Sequence, residues 1–471
     1  MLLAAAIFAL VTQDPTALRA APSNSAPKNA ILWQGDALEV RGARAGYLQV
    51  YDHRRERAGY VLESSVRQYP LETTRAAALL ETVRFLRDVP GLEALGIGHA
   101  ALYLKVAEPR EIDGEVFDAL GTMADRLARR ASSSSARTSD GAFAGQLDVA
   151  RSYGVRFESV ETDGLARTCY DGEAFRQVLA LTRPEAPGAA DALARAALGL
   201  TRPGCATGTE AERLAANERA TEALDRVPLD SLPPLVRNRV RLRRASVWSS
   251  LAHGRARRGQ IDAAQAAERR ALDEIALVPR AELAESDSDA VADAFLRTAA
   301  ARPASDSSTA PVGGLQLRSA ARAPGETCLT LFQTKTAGEK ALVERCTYAV
   351  VWSSSARYSP NGSAVAVAIQ PLDGWRELLV FRQVAGEWSS EVVSPATEVG
   401  LGYVEWAGWT PDGKKLLVAR EAKVGGKLVR SFELLEIASL TVARKAQRPG
   451  DLTPFQRWSS PEWRQRTLAL R

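Results

Sequence analysis

Histidine and methionine are scarce in this chain, with three and two residues among 471. His53, His99 and His253 lie in three distant segments, with no His-Glu-x-x-His and no paired His/Cys spacing, which argues against a zinc site. Lysine is scarce too. Only nine of the 61 cations are Lys and the other 52 are Arg, a bias that genome composition explains as well as function does. The formal net charge of +5 is too small to argue for nucleic acid as a partner. No apolar run reaches the ~20 residues of a bilayer-spanning helix, so no membrane span is expected. A Gly-x-Ser-x-Gly nucleophile elbow is missing. "GWTPDGKK" (408–415) nearly spells a phosphate-binding loop, but Lys415 stands where the hydroxyl belongs and a strand pattern follows where a helix should. No cofactor is implied.

What is present is ordinary for globular protein: 46% apolar and 25% charged residues, in a chain long enough for two to four domains. The N-terminus "MLLAAAIFALV" carries an apolar run of about ten residues, the length of a signal-peptide core. Residues 1–12 are therefore read as a signal-peptide-like segment, although the first cation is Arg19; the alternative is a buried N-terminal strand. Four cysteines, none in a Cys-x-x-Cys pair, fit two local disulfides, Cys169 with Cys205 and Cys328 with Cys346, each within one domain. Four buried free thiols in a cytosolic protein are the alternative. Export to the periplasm or the medium is the expectation.

Periodicity divides the rest. Residues 13–69 alternate Val and aromatic residues with polar ones around the turns "QGD" and "RGARAG", a pattern of short strands. This order resembles the bacterial SH3-like domain, a small β-barrel. Leu18, Arg19 and Pro22 meet its opening strand loosely; Gly35, Asp36, Leu38 and Val40 meet its Gly-Asp turn. Gly46, Tyr47 and Val50, then Gly59, Tyr60 and Val61, meet its two Gly-aromatic strands. The resemblance implies a module that binds cell wall or peptide, with Trp33, Tyr47, Tyr51 and Tyr60 as candidate ligand-facing rings, or else as core.

Residues 70–302 show helical stripes, beginning with Leu79, Val83 and Leu86, and "ASSSSARTSDG" (131–141) interrupts them as a polar loop. An all-α middle domain is expected. Within it Trp248, Leu251, Ala252, Gly259, Ala264, Ala271 and Leu272 resemble a tetratricopeptide repeat, with a generic helical bundle as the other reading. "VRNRVRLRR" puts Arg237, Arg241 and Arg244 on one helical face, read as solvated and ion-paired. "PASDSSTAPVGG" (303–314) reads as a linker.

Residues 315–471 return to strands. Pro360, Pro411 and Pro461 recur at intervals of 51 and 50 residues, the first two within Pro-Asn-Gly and Pro-Asp-Gly turns. Four strands between 403 and 447 make one unit of a repeat that resembles the propeller blades of the periplasmic Tol translocation protein. Two units and a stub suggest an incomplete ring, or a small stack of sheets built from the same unit.

The chain is thus expected to be a multidomain α+β protein: an N-terminal SH3-like barrel, a helical-repeat-like middle and a propeller-like C-terminal domain. Its expected role is that of an exported, non-enzymatic scaffold binding an envelope protein or peptidoglycan. The alternative is a peptidoglycan hydrolase using carboxylates alone, whose spacing leaves no reliable trace in sequence.

Overall fold

The computed structural model of the chain describes residues 7–133, 141–162, 165–206, 208–306, 310–335 and 338–466. Alternating patterns set seven strands at the N-terminus: β1 (Ile7–Val11), β2 (Thr16–Arg19), β3 (Lys28–Leu32), β4 (Ala37–Arg44), β5 (Tyr47–Asp52), β6 (Arg57–Leu62) and β7 (Val66–Pro70). They form one antiparallel sheet in the order β3-β2-β6-β5-β4-β1-β7. One face buries Val11, Leu18, Leu38, Leu48, Val50 and Val61. The strand path runs open from β3 to β7, so the described residues form a sheet and show no closed barrel. From Ile7 onward, the segment read as signal-peptide-like is the strand between β4 and β7, with Ala9, Leu10 and Val11 fully buried. Residues 1–6 lie outside the described residues.

Helices follow: α1 (Ala76–Arg87), α2 (Glu93–Val106), α3 (Gly114–Ala131) and α4 (Ala142–Ser152). The stripe Leu79, Val83 and Leu86 packs with Ile97, Met123 and Leu127 in one core. Then comes an antiparallel hairpin, β8 (Phe157–Thr162) and β9 (Leu165–Tyr170), so the middle of the chain is not all-α. "FESVET" and "LARTCY" around Asp163-Gly164 carry the hairpin pattern that the helical reading passed over. Three helices continue the chain: α5 (Glu173–Leu181), α6 (Ala189–Leu200) and α7 (Glu210–Asp225). Of the polar loop 131–141, residues 134–140 lie outside the described residues.

The sheet is fastened to these helices at the "QGD" turn. Gly35 has φ +87°, and a Cβ there would meet the Ala94 backbone of α2. Its carbonyl accepts from Tyr153 Oη at 2.6 Å. Asp36, 3% exposed, accepts from Arg54 and from Arg55, each at 3.0 Å, and from its own turn at Trp33 N. Sheet and helices to residue 208, with 222–232, make one compact unit; 209–221 with 233–471 make another. The period change near residue 70 and the 303–314 stretch each lie inside a unit.

The second unit opens with α8 (Pro234–Arg257), α9 (Ile261–Ala276) and α10 (Ser288–Ala301). Ala252, Ala264, Ala267 and Ala271 are fully buried, which lets α8 and α9 approach closely. Arg241 and Arg244 both pair with Glu274, at 3.4 and 3.2 Å, and Arg244 is buried where a solvated residue was expected. Next is a three-stranded sheet of β10 (Leu315–Ala323), β11 (Glu326–Lys335) and β12 (Gly338–Thr347).

The two repeat units are β13 (Val350–Tyr358), β14 (Ala364–Leu372), β15 (Trp375–Val384) and β16 (Glu387–Val393), then β17 (Gly402–Trp409), β18 (Lys415–Val424), β19 (Lys427–Glu436) and β20 (Val442–Ala446). They merge into one eight-stranded sheet, because β15 and β17 pair in parallel at Trp375↔Gly402 and Arg376↔Tyr403. The segment around Pro461 is no third copy. It forms two short helices, α11 (Thr453–Trp458) and α12 (Pro461–Arg466), whose Phe455 and Trp463 rings pack on Phe432. Pro454 and Pro461 sit in first helical turns, where a missing N–H costs nothing. The described residues show no propeller ring.

Both cysteine pairs are bonded locally, Cys169–Cys205 and Cys328–Cys346, with S–S distances of 2.02 and 1.96 Å. Among the described residues no helix is long and apolar enough to cross a membrane.

Candidate functional site

The four sequence-nominated rings do not gather. In β5 the core-facing residues are Leu48 and Val50, so alternation puts Tyr47 and Tyr51 on the other face. Tyr60 joins them there, since it stands opposite Gln49 in the register. Tyr47 is only 6% exposed and donates its hydroxyl to Asn24 Oδ1 at 2.7 Å. The Arg41 guanidinium lies 4.2 Å above the Tyr51 ring, and His53 meets the same ring edge-on at 4.9 Å. Glu39 binds both Arg41 and His53, and those hydrogen bonds hold its carboxyl below the usual range. Trp33 lies apart. Its indole covers Gly145 of α4, where any Cβ would collide with the ring. Two of the four rings are therefore committed to packing within the first unit.

In the second unit the edge strands of two sheets face each other. The β10 backbone N–H of Leu317 donates to Tyr358 Oη at 3.0 Å, and Ser319 Oγ and Ser353 Oγ are 2.9 Å apart. Beyond these contacts a groove of about 530 Å³ opens, lined by Ser319, Ala320, Ala321 and Ala323 of β10 on one wall and residues 348–354 on the other, with Ala256, Ile261 and Ala304 among its apolar lining. Each wall is the outermost strand of its sheet, so backbone groups along it lack a ladder partner on that side. A second cleft of about 430 Å³ shares Arg257, Tyr348 and Ala349 with the groove and reaches Ser250, His253 and Asp373. Tyr348 stands where the two meet. Its side chain is 62% exposed, while its carbonyl is fixed by Arg257 Nη1 at 2.7 Å. The sequence gives no sign of this residue's role, because "CTYAVVW" reads simply as the start of a strand.

His253 lines the second cleft and is 8% exposed, and burial pushes its imidazole below the ordinary range, so the ring is neutral. Ser250 Oγ donates to Asp373 Oδ2 at 2.7 Å, and Arg297 donates to the same oxygen at 2.8 Å. His253 Nε2 has no hydrogen-bond partner among the described residues, so nothing links it to Ser250 as a general base would be linked.

Below the sheets lies a centre of buried charge. Glu405 Oε1 accepts from Trp463 Nε1 at 2.7 Å, and its Oε2 accepts from Arg302 at 2.9 Å and Arg376 at 3.2 Å. Arg357 donates to Glu462 at 3.0 Å. Burial pulls the Arg376 guanidinium below its ordinary value; at Arg302 burial acts the same way, but Glu405 and Asp306 outweigh it. Glu268 of α9 is 0% exposed, and burial pushes its carboxyl well above the usual range.

Compared with known protein families, curated proteins and solved structures, the chain matches none.

Proposed function

We propose that this is an exported, non-enzymatic binding protein of the cell envelope, whose second unit takes an extended segment of a partner protein into the groove between β10 and β13. The observation that carries the reading is the pair of facing sheet edges, touching at Leu317–Tyr358 and Ser319–Ser353 and parted beyond. An extended chain entering there gains backbone hydrogen bonds from an edge strand, and alternate side chains find pockets. Tyr348 supplies the exposed rigid aromatic that anchors such contacts. The two disulfides support an oxidising compartment, periplasmic or extracellular. The outer face of the N-terminal sheet, with Tyr51 and Tyr60, offers a second surface for protein or peptidoglycan.

Capture from envelope extract by the whole protein and by Tyr348→Ala tests this, with isolated peptidoglycan as a parallel bait. Loss of a specific protein partner in the variant, at unchanged melting temperature, is the expected result. Equal capture by both proteins would place binding elsewhere, and cleavage of the peptidoglycan would replace the binding role with the hydrolase.

A further inference from the structure

Three N–H groups in the buried centre of the second unit have no hydrogen-bond acceptor among the described residues. Arg357, Arg376 and Trp406 line one cavity of about 30 Å³, roughly two to three times what one water needs and ample for a small ion. Each keeps one buried N–H, at Nε of the two arginines and Nε1 of the tryptophan, with no acceptor among the described residues. Arg357 and Arg376 are 4% and 1% exposed, so bulk water does not satisfy them. The Arg357 guanidinium lies 5.5 Å from the centroid of the Trp406 ring, which places two of these donor-bearing groups side by side.

Each carboxylate around the cavity faces an arginine that it already pairs. Glu405 spends both oxygens on Trp463, Arg302 and Arg376, Glu462 accepts from Arg357, and Asp306 lies 4.0 Å from Arg302 and from Arg357. Ser355, which also lines the cavity, donates to the Trp352 carbonyl and accepts from Ala368 N. Three arginines against Asp306, Glu405 and Glu462 leave the lining formally neutral. Leaving three N–H groups buried and unpaired is costly, and native proteins rarely do so. A water could accept two of them but would bring two hydrogens of its own needing acceptors. A monoatomic anion accepts all three and brings none.

We infer that this cavity is a binding site for a single halide ion, chloride under physiological conditions, held by the Nε–H groups of Arg357 and Arg376 and the indole N–H of Trp406. The ion completes the hydrogen bonding of the centre that ties β13, β15 and β17 together. It therefore acts as a structural ligand of the second unit, independent of the partner groove.

The whole protein is dialysed free of halide and melted in sodium gluconate, chloride or bromide at equal ionic strength. The expected result is a saturable rise in melting temperature with chloride and bromide but not gluconate. Crystals grown in bromide should show an anomalous peak inside the cavity. Trp406→Phe removes one donor while keeping the ring, and should raise the halide Kd on the order of 10- to 100-fold, the cost of one hydrogen bond to a charged group. Should that variant fail to fold, the bromide map and the halide titration of the unaltered protein decide alone. Identical melting in all three salts, or a cavity filled by water in bromide-grown crystals, would overturn the assignment.

Discussion

Asn361 and Asp412 hold the same place in the two copies of the repeat, and they are hydrogen-bonded to each other: Asn361 Nδ2 donates to the Asp412 carbonyl at 3.0 Å. Each side chain also organises its own turn. Asn361 Oδ1 accepts from Ser359 Oγ at 2.8 Å and Ser363 N at 3.1 Å, and Asp412 Oδ1 accepts from Thr410 Oγ1 at 2.6 Å and Lys414 N at 3.1 Å. Asn361→Ala should cost about 1 kcal/mol of stability in the second unit. Gly413→Ala should cost more, about 1–3 kcal/mol, because φ is +67° and a Cβ would meet the Asn361 amide. In the double variant that clash is gone, so urea melts should give a loss smaller than the sum of the two singles.

The four nominated rings should separate by what they touch. Trp33→Ala and Tyr47→Ala remove packed rings and should lower the stability of the first unit by about 3–5 kcal/mol for the tryptophan. Tyr60→Ala lies on the half-exposed outer face and should leave melting close to unchanged. Melting and capture measured on the same samples would tell packing from ligand contact. A folded, fully stable Trp33→Ala protein would contradict the packing of that ring on Gly145.

Acid should weaken the first unit through His99. The imidazole is 3% exposed and bonded on both sides, to the Leu95 carbonyl at 2.9 Å and Tyr69 Oη at 2.6 Å. Burial holds its pKa below the ordinary value near ~6.5. The unfolded chain therefore binds the proton first, so stability is complete above that range and is lost as pH falls through it towards the folded value. Urea midpoints at pH 7.5 and 5.5 should differ, and His99→Gln should shrink the difference.

Reduction should weaken both units. Each bridge closes a local loop, with its cysteines 36 and 18 residues apart, and should contribute roughly 2–4 kcal/mol. Peptide mapping without reductant should recover Cys169 with Cys205 and Cys328 with Cys346. Recovery of four alkylated thiols from protein kept unreduced would remove both bridges and the support they give to export.

Sequence patterns carried the strands well where turn chemistry was explicit. The Pro-Asn-Gly and Pro-Asp-Gly turns mark strand returns because Asn361 and Asp412 cap the backbone locally and glycine supplies the positive φ, all within five residues. Alternation and helical stripes likewise rest on neighbours in sequence. The rest depends on distant partners. The third proline opens no such turn: "SSPEWRQR" copies the spacing without the Gly, and Trp463 packs on Phe432 instead. The Gly35-Asp36 pair was matched to a family turn, yet its role comes from Ala94 and Arg54, far along the chain. Neither the buried charge centre nor the groove could be read in advance, because Arg302, Arg357, Arg376 and Glu405 look like surface residues until the sheets assemble around them.

The charge centre also depends on the segment after the last strand. Glu405 accepts a hydrogen bond from the Trp463 indole N–H, and Arg357 donates to Glu462, so two of the groups that close this centre come from α12. A ribosome that has finished β20 has already made every arginine of the cluster but neither of those partners. Until α12 docks, Arg357 lacks Glu462, and Glu405 holds Arg302 and Arg376 without the Trp463 indole beside them. The last pieces of this buried centre are thus contributed by a short helix that follows every strand of the sheet in sequence.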